Sequence, residues 1–127
     1  MGAENMHCVR ILYPKGNGRP FDWEHYYNVH LPLGLGLLRT HTGAVPDRVE
    51  VEANGHAPDG GAGPYQCVCS LYFADQRGVE ALVGLFGIES AARQLEQDWP
   101  NYTDVRPALL IAETVDVDPL TVKRVGA

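Results

Sequence analysis

The first half of the chain changes its apolar period from two to three-and-four within a few residues. Residues 7 to 14 alternate His7, Val9, Ile11 and Tyr13 against Cys8, Arg10 and Leu12, which predicts a strand ending at Pro14. Lys15 to Pro20, with two glycines and a proline, reads as a loop. From there Trp23, Tyr26, Tyr27, His30 and Gly34 fall on one broad helical face. Asp22 is placed to cap that helix, and Phe21 and Tyr26 to staple its start. Pro32 lacks an N–H and crowds the carbonyl of Asn28, so the helix has to kink or restart there. It then runs to about Arg39, with Gly43 helping to end it.

A second strand is expected over about 44 to 53, where Val49 and Val51 alternate with Arg48, Glu50 and Glu52 in the manner of an edge strand. Asn54 to Pro64 is rich in glycine and proline and reads as a mobile loop, a candidate lid for a pocket. Tyr65 to Ala74 follows as a strand largely uncharged on both faces. Asp75 caps a helix with an apolar stripe of Val79, Leu82, Val83 and Phe86, and a short helix over about 89 to 97 completes that layer. Residues 105 to 115 form the last strand, again apolar on both faces, and 116 to 127 an extended tail.

The order is β-α-β-β-α-β. It predicts an α+β, ferredoxin-like domain in which two helices cover one face of a four-stranded antiparallel sheet. The other face is left bare, and two of its strands are apolar on both sides. A monomer would expose a large patch, so pairing of two chains sheet to sheet is the direct remedy.

At 127 residues the chain is expected to form one domain, 1–127, with its core over about 7–115. A net charge of −6 and ten scattered Lys and Arg give no electrostatic footprint for nucleic acid. No apolar run reaches the length of a membrane span and no secretion pattern is visible, so a cytoplasmic protein without a membrane partner is expected. Three cysteines, two of them at 67 and 69, suit buried reduced thiols better than a disulfide framework. Which of Cys67 and Cys69 faces a pocket is open at this level.

Two segments carry a family likeness: Tyr26-Tyr27 ahead of His30-Leu31-Pro32-Leu33, and Pro100-Asn101-Tyr102-Thr103-Asp104 before the last strand. With Leu12-Tyr13-Pro14 and Leu71-Tyr72-Phe73 in the same order of elements, the chain resembles the EthD family of dimeric α/β-barrel proteins over roughly residues 9 to 115. The resemblance implies a homodimer and a small-molecule pocket between the sheet and the helices of each subunit. It places His30 and Tyr102 at that pocket as the catalytic pair. Tyr26, Tyr27, Trp23, Trp99 and Tyr72 are the expected substrate-binding residues.

Imidazole titrates near neutral pH, and a tyrosine hydroxyl can polarise a carbonyl. Those parts suit a cofactor-free enzyme that moves a proton next to a carbonyl in isomerisation, cyclisation, dehydration or decarboxylation. The matching substrate is an aromatic, lactone or polyketide-like carbonyl compound. The alternative is a non-catalytic ligand-binding protein accessory to an oxidative degradation system of the EthD type. His30 also has a purely structural reading as a hydrogen-bonded core residue.

No cofactor and no metal are expected. There is no His-Glu-x-x-His, and His25 and His30, five apart, should lie on different faces of an α-helix. Haem stays open, because distant relatives of the architecture hold it through a histidine. Gly34-Leu35-Gly36 and Gly16-Asn17-Gly18 lack the context of a nucleotide-binding turn.

Overall fold

A computed structural model describes residues 6–126; the remaining six residues of the expected 1–127 domain lie outside it. Strand β1 (His7–Pro14) is followed by a helical stretch in three parts. These are a single α turn, α1 (Trp23–His25), a π turn over Tyr26–His30, and α2 (Leu31–Thr42). Then come β2 (Arg48–Ala53), β3 (Tyr65–Phe73), α3 (Gln76–Leu85), α4 (Glu89–Asp98), a 3₁₀ turn (Trp99–Asn101) and β4 (Ala108–Glu113). The four strands form one antiparallel sheet in the order β2-β3-β1-β4. This is the ferredoxin-like arrangement that the order of elements predicted.

Register assigns each face. Ile11 stands opposite both Cys69 and Leu109, and Val9 opposite Leu71, so these side chains share the helix-covered side. Tyr13, Val9, Cys67, Cys69, Leu71 and Phe73 are buried there against Leu38, Leu82, Leu85 and Leu95 from the helices. The opposite face is less apolar than the sequence suggested. At its centre the Arg10 guanidinium donates to Ser70 Oγ at 2.9 Å and pairs with Glu52 at 3.5 Å, and the Tyr72 hydroxyl donates to Glu50 at 3.3 Å.

Local rules explain the element ends. The Asp22 carboxylate accepts from the His25 backbone N–H and the Asp75 carboxylate from that of Arg77, so both expected caps are made. Gly43 ends α2 in the left-handed region at φ 76°, three residues later than expected from Arg39. On α3 the buried stripe is Val79, Leu82 and Leu85, whereas Val83 faces solvent. Strand β4 is shorter than 105 to 115 at both ends, and Pro107, with no N–H for the ladder, stands just before it.

Two segments outside the core elements carry bonds of their own. The segment from Asn54 to Pro64 is closed by its own bonds: His56 bridges to Ala62, and the Ala57 N–H donates to the Gly61 carbonyl at 2.8 Å. The tail is not simply extended. Val117–Asp118 (β5) pairs with Lys123–Arg124 (β6) in a small hairpin whose turn is tied by the Asp118 carboxylate accepting from the Leu120 N–H.

Candidate functional site

The two segments singled out in the sequence meet in space. The Asp22 N–H donates to the Tyr102 carbonyl at 2.9 Å, and the Asp104 carboxylate accepts from the backbone N–H groups of Asn17 and Arg19. The start of the first helix is thereby fixed to the stretch between α4 and β4. Phe21, Tyr26, Tyr13 and Tyr102 pack edge to face or tilted, with ring centroids 5.1 to 5.8 Å apart.

Pro32 explains the π turn. It occupies the first turn of α2, where its missing N–H costs nothing, and the chain before it takes one extra residue into the turn. The Leu31 N–H accordingly donates to the Tyr26 carbonyl, five residues back. A π turn stacks residues five apart, so His25 and His30 come to one side instead of the different faces an α-helix would give. That expectation is corrected.

Both imidazoles reach Asp98. His30 Nδ1 lies 2.9 Å from Oδ2, and His25 Nε2 lies 2.8 Å from Oδ1, which also accepts from the Asn101 amide at 3.0 Å. An ionised carboxylate only accepts, so each ring nitrogen facing it carries the proton. The His30 side chain is 8% exposed and that of Asp98 10%. Burial pushes the Asp98 carboxyl up, but hydrogen bonds from Asn101, His25 and His30 outweigh it and hold the group below the usual carboxylate range. Burial pushes His30 below the ordinary histidine value of 6.5, against an upward pull from Asp98. The favoured state is therefore a neutral imidazole, its Nδ1–H on a carboxylate and its Nε2 lone pair free of any side-chain partner among the described residues.

His30 lines a cavity of about 260 Å³ between the sheet and the helices. Around it the walls are aliphatic and aromatic: Ile11, Leu71 and Leu109 from the sheet, Leu31, Leu35 and Leu38 from α2. Gly34, one turn beyond His30, adds no side chain to the wall. Leu82, Leu85, Phe86 and Leu95 close the side formed by α3 and α4, and Trp99 and Arg106 stand where the chain leaves α4 for β4. The loop from Asn54 to Pro64 contributes no lining residue, which corrects the expectation of a lid.

Of the residues expected at the site, His30, Tyr26 and Trp99 line the cavity. Tyr102 does not. It is fully buried behind the wall, its ring 4.5 Å from that of His30 and its hydroxyl 2.8 Å from the hydroxyl of Tyr13, which does line the cavity. Trp23 and Tyr27 stack on each other outside it, and Tyr27 is exposed. Tyr72 is corrected by the alternation of β3: it sits on the helix-free face, with Arg48 over its ring at 5.2 Å. Burial raises the phenols of Tyr13, Tyr26 and Tyr102 far above their ordinary range, so they remain protonated. Cys69 lines the cavity and Cys67 does not. Burial pushes Cys69 up to about 11 and Cys67 to about 12, which removes both as thiolate nucleophiles.

His25, Asp98, Tyr13 and Arg106 were missed by sequence reasoning. Asp98 carried a usable signal: Ala91, Leu95 and Asp98 share one helical face by spacings of four and three, and a carboxylate in line with buried apolar positions needs partners. Among the described residues no group of three or more His, Cys, Asp or Glu side chains is arranged to hold a metal ion.

Fold and site together define a ferredoxin-like α+β protein with a buried histidine–carboxylate pair at an apolar cavity. A family model described as the EthD domain matches residues 16–106, more than half of the chain, and the protein belongs to the EthD family. An EthD-like protein from Ralstonia eutropha has a solved structure that is 26% identical, with a TM-score of 0.66 over 92% of this chain and 98% of that one. An EthD family protein from Bacillus halodurans is 19% identical, with a TM-score of 0.56 over 86% and 98% of the two chains, and supports the fold alone. Among curated proteins none matches. No helix of the described residues is long and apolar enough to cross a membrane.

Proposed function

We propose that the protein is a cofactor-independent enzyme that binds a small apolar carbonyl compound in the cavity and moves a proton with His30. The observation that carries this reading is the pairing of His30 Nδ1 with Asp98 at 2.9 Å while the same ring lines the cavity. With the proton fixed on Nδ1, Nε2 is the general base, and Asp98 stabilises the imidazolium that forms. In this reading the Tyr102 hydroxyl donates to Tyr13, which frees the Tyr13 proton for an enolate oxygen. Proton abstraction from carbon next to a carbonyl is the shared step of isomerisation, cyclisation, dehydration and decarboxylation of aromatic, lactone or polyketide-like compounds.

Since His30 lies below 6.5, it is neutral at pH 7, and base activity falls as pH drops through its lowered value. The test is exchange of substrate protons for solvent deuterium, followed by proton NMR across phenolic, lactone and β-keto compounds. Wild type should accelerate exchange for at least one of them, and His30→Ala should lose that acceleration at least a hundredfold while remaining folded. Undiminished exchange in folded His30→Ala contradicts the assignment. The almost wholly apolar wall favours a second reading, a binding protein accessory to an oxidative system, in which ligands stabilise the fold but no exchange occurs.

We also infer that 1–127 is one unit that works as a homodimer in the cytoplasm. Leu109, Leu110 and Ile111 on β4 are 43%, 48% and 58% exposed, an apolar edge that a second copy would cover.

A further inference from the structure

Among the described residues, Arg106 is the one permanent cation on the wall of the His30 cavity. Its guanidinium is laid over the Trp99 ring, 5.4 Å from the centroid, and Trp99 is itself a wall residue. Stacking of this kind holds a guanidinium in place while leaving its N–H edge free. Arg106 also meets Glu96, at 3.5 Å, and both side chains of that pair are more than half exposed. An ion pair so long and so wet contributes little and exchanges readily for a better acceptor.

The other polar end of the cavity has the opposite character. Behind neutral His30 lies the ionised Asp98, and the whole chain carries a net charge of −6. An anionic group is disfavoured beside His30 and favoured only beside Arg106. We propose that the cavity selects small apolar carboxylic acids, with the carboxylate held at the Trp99–Arg106 rim and the apolar body directed inward to His30. Bidentate guanidinium–carboxylate geometry supplies the selectivity, and the aliphatic wall accepts the body of the molecule. The proposal rests on reading the cavity as the ligand site, and it makes Arg106 a specificity-determining residue outside the proton-transfer machinery.

The test is calorimetric titration of the 127-residue chain with 4-alkylbenzoates, methyl to hexyl, and with the matching uncharged 4-alkylbenzamides. At least one acid should bind ten times more tightly than its amide, and the preference should shrink as salt is raised. Arg106→Gln should reduce it below threefold, with the larger loss on the acid, and Glu96→Gln should increase it. Equal affinity within every pair, a preference that survives in Arg106→Gln, or no binding by any member overturns the proposal. Acid selectivity without deuterium exchange would leave the anchor standing and remove proton transfer; exchange without acid selectivity would do the reverse.

Discussion

The floor of the cavity and the outer edge of the sheet treat their chemistry in opposite ways. At the floor, the Tyr13 and Tyr102 hydroxyls share a hydrogen bond of 2.8 Å, and Asp98 separately gathers His25, His30 and Asn101 at 2.8 to 3.0 Å, with Asn101 on the exposed side. At the β4 edge, three successive apolar side chains stand open to solvent, and the strand pairs with β1 alone. One region is finished within a single chain; the other presents the apolar edge that the proposed homodimer would cover. Buried polar groups are costly unless every partner is present, so the floor is where a single substitution does most damage.

The largest effect is expected at Asp98, which serves three donors at once. Asp98→Ala should destabilise the fold by about 3 kcal/mol, read from urea unfolding, because it leaves the buried His30 N–H without an acceptor and removes the shared partner of His25 and Asn101. A loss under about 1 kcal/mol would mean that Asp98 is not a needed acceptor for this cluster. The pH dependence follows the same residues. His30 has a folded value below 6.5, so the stability it contributes is complete above that value and is lost as pH falls through it toward the folded pKa. Asp98, held below 3.8, adds stability that is lost as pH falls below that value.

A substitution at the edge should do the reverse. Leu110 faces away from the helices and stands opposite Arg10, so Leu110→Glu places a carboxylate beside a guanidinium and should change the stability of the chain by about 0.5 kcal/mol or less. It should nevertheless convert a wild-type particle of twice 13.9 kDa to one of single-chain mass in sedimentation. A wild type that is already monomeric at micromolar concentration would contradict the covered edge.

The same contrast separates what was legible in the sequence from what was not. Alternation in β1 and β3, the Asp22 and Asp75 caps and Gly43 follow local rules, and the sheet order follows from the order of elements. Of the residues expected at the site, His30, Tyr26 and Trp99 line one cavity. The His25–Asp98–His30 cluster was hidden because it depends on a π turn. Periods of three and four put residues five apart on different faces, and only the i to i+5 bond from Leu31 to Tyr26 brings them together. Tyr72 was expected at the pocket from the family resemblance, whereas strand alternation turns it to the face opposite Leu71 and Phe73. The tail hairpin depends on the Asp118 turn, whose apolar neighbours Leu120 and Val122 gave no period to read.

The central claim is that His30 is held as a neutral base, its proton on Nδ1 facing Asp98 and its Nε2 open to the cavity. Nitrogen-resolved NMR of the imidazole ring across pH 4 to 8 reads tautomer and titration together. The account predicts an Nδ1–H tautomer and a midpoint below 6.5 in the wild type, moving lower still in Asp98→Asn, where the carboxylate's upward pull is removed. A His30 protonated on Nε2 at neutral pH, or one titrating at or above 6.5, would contradict it.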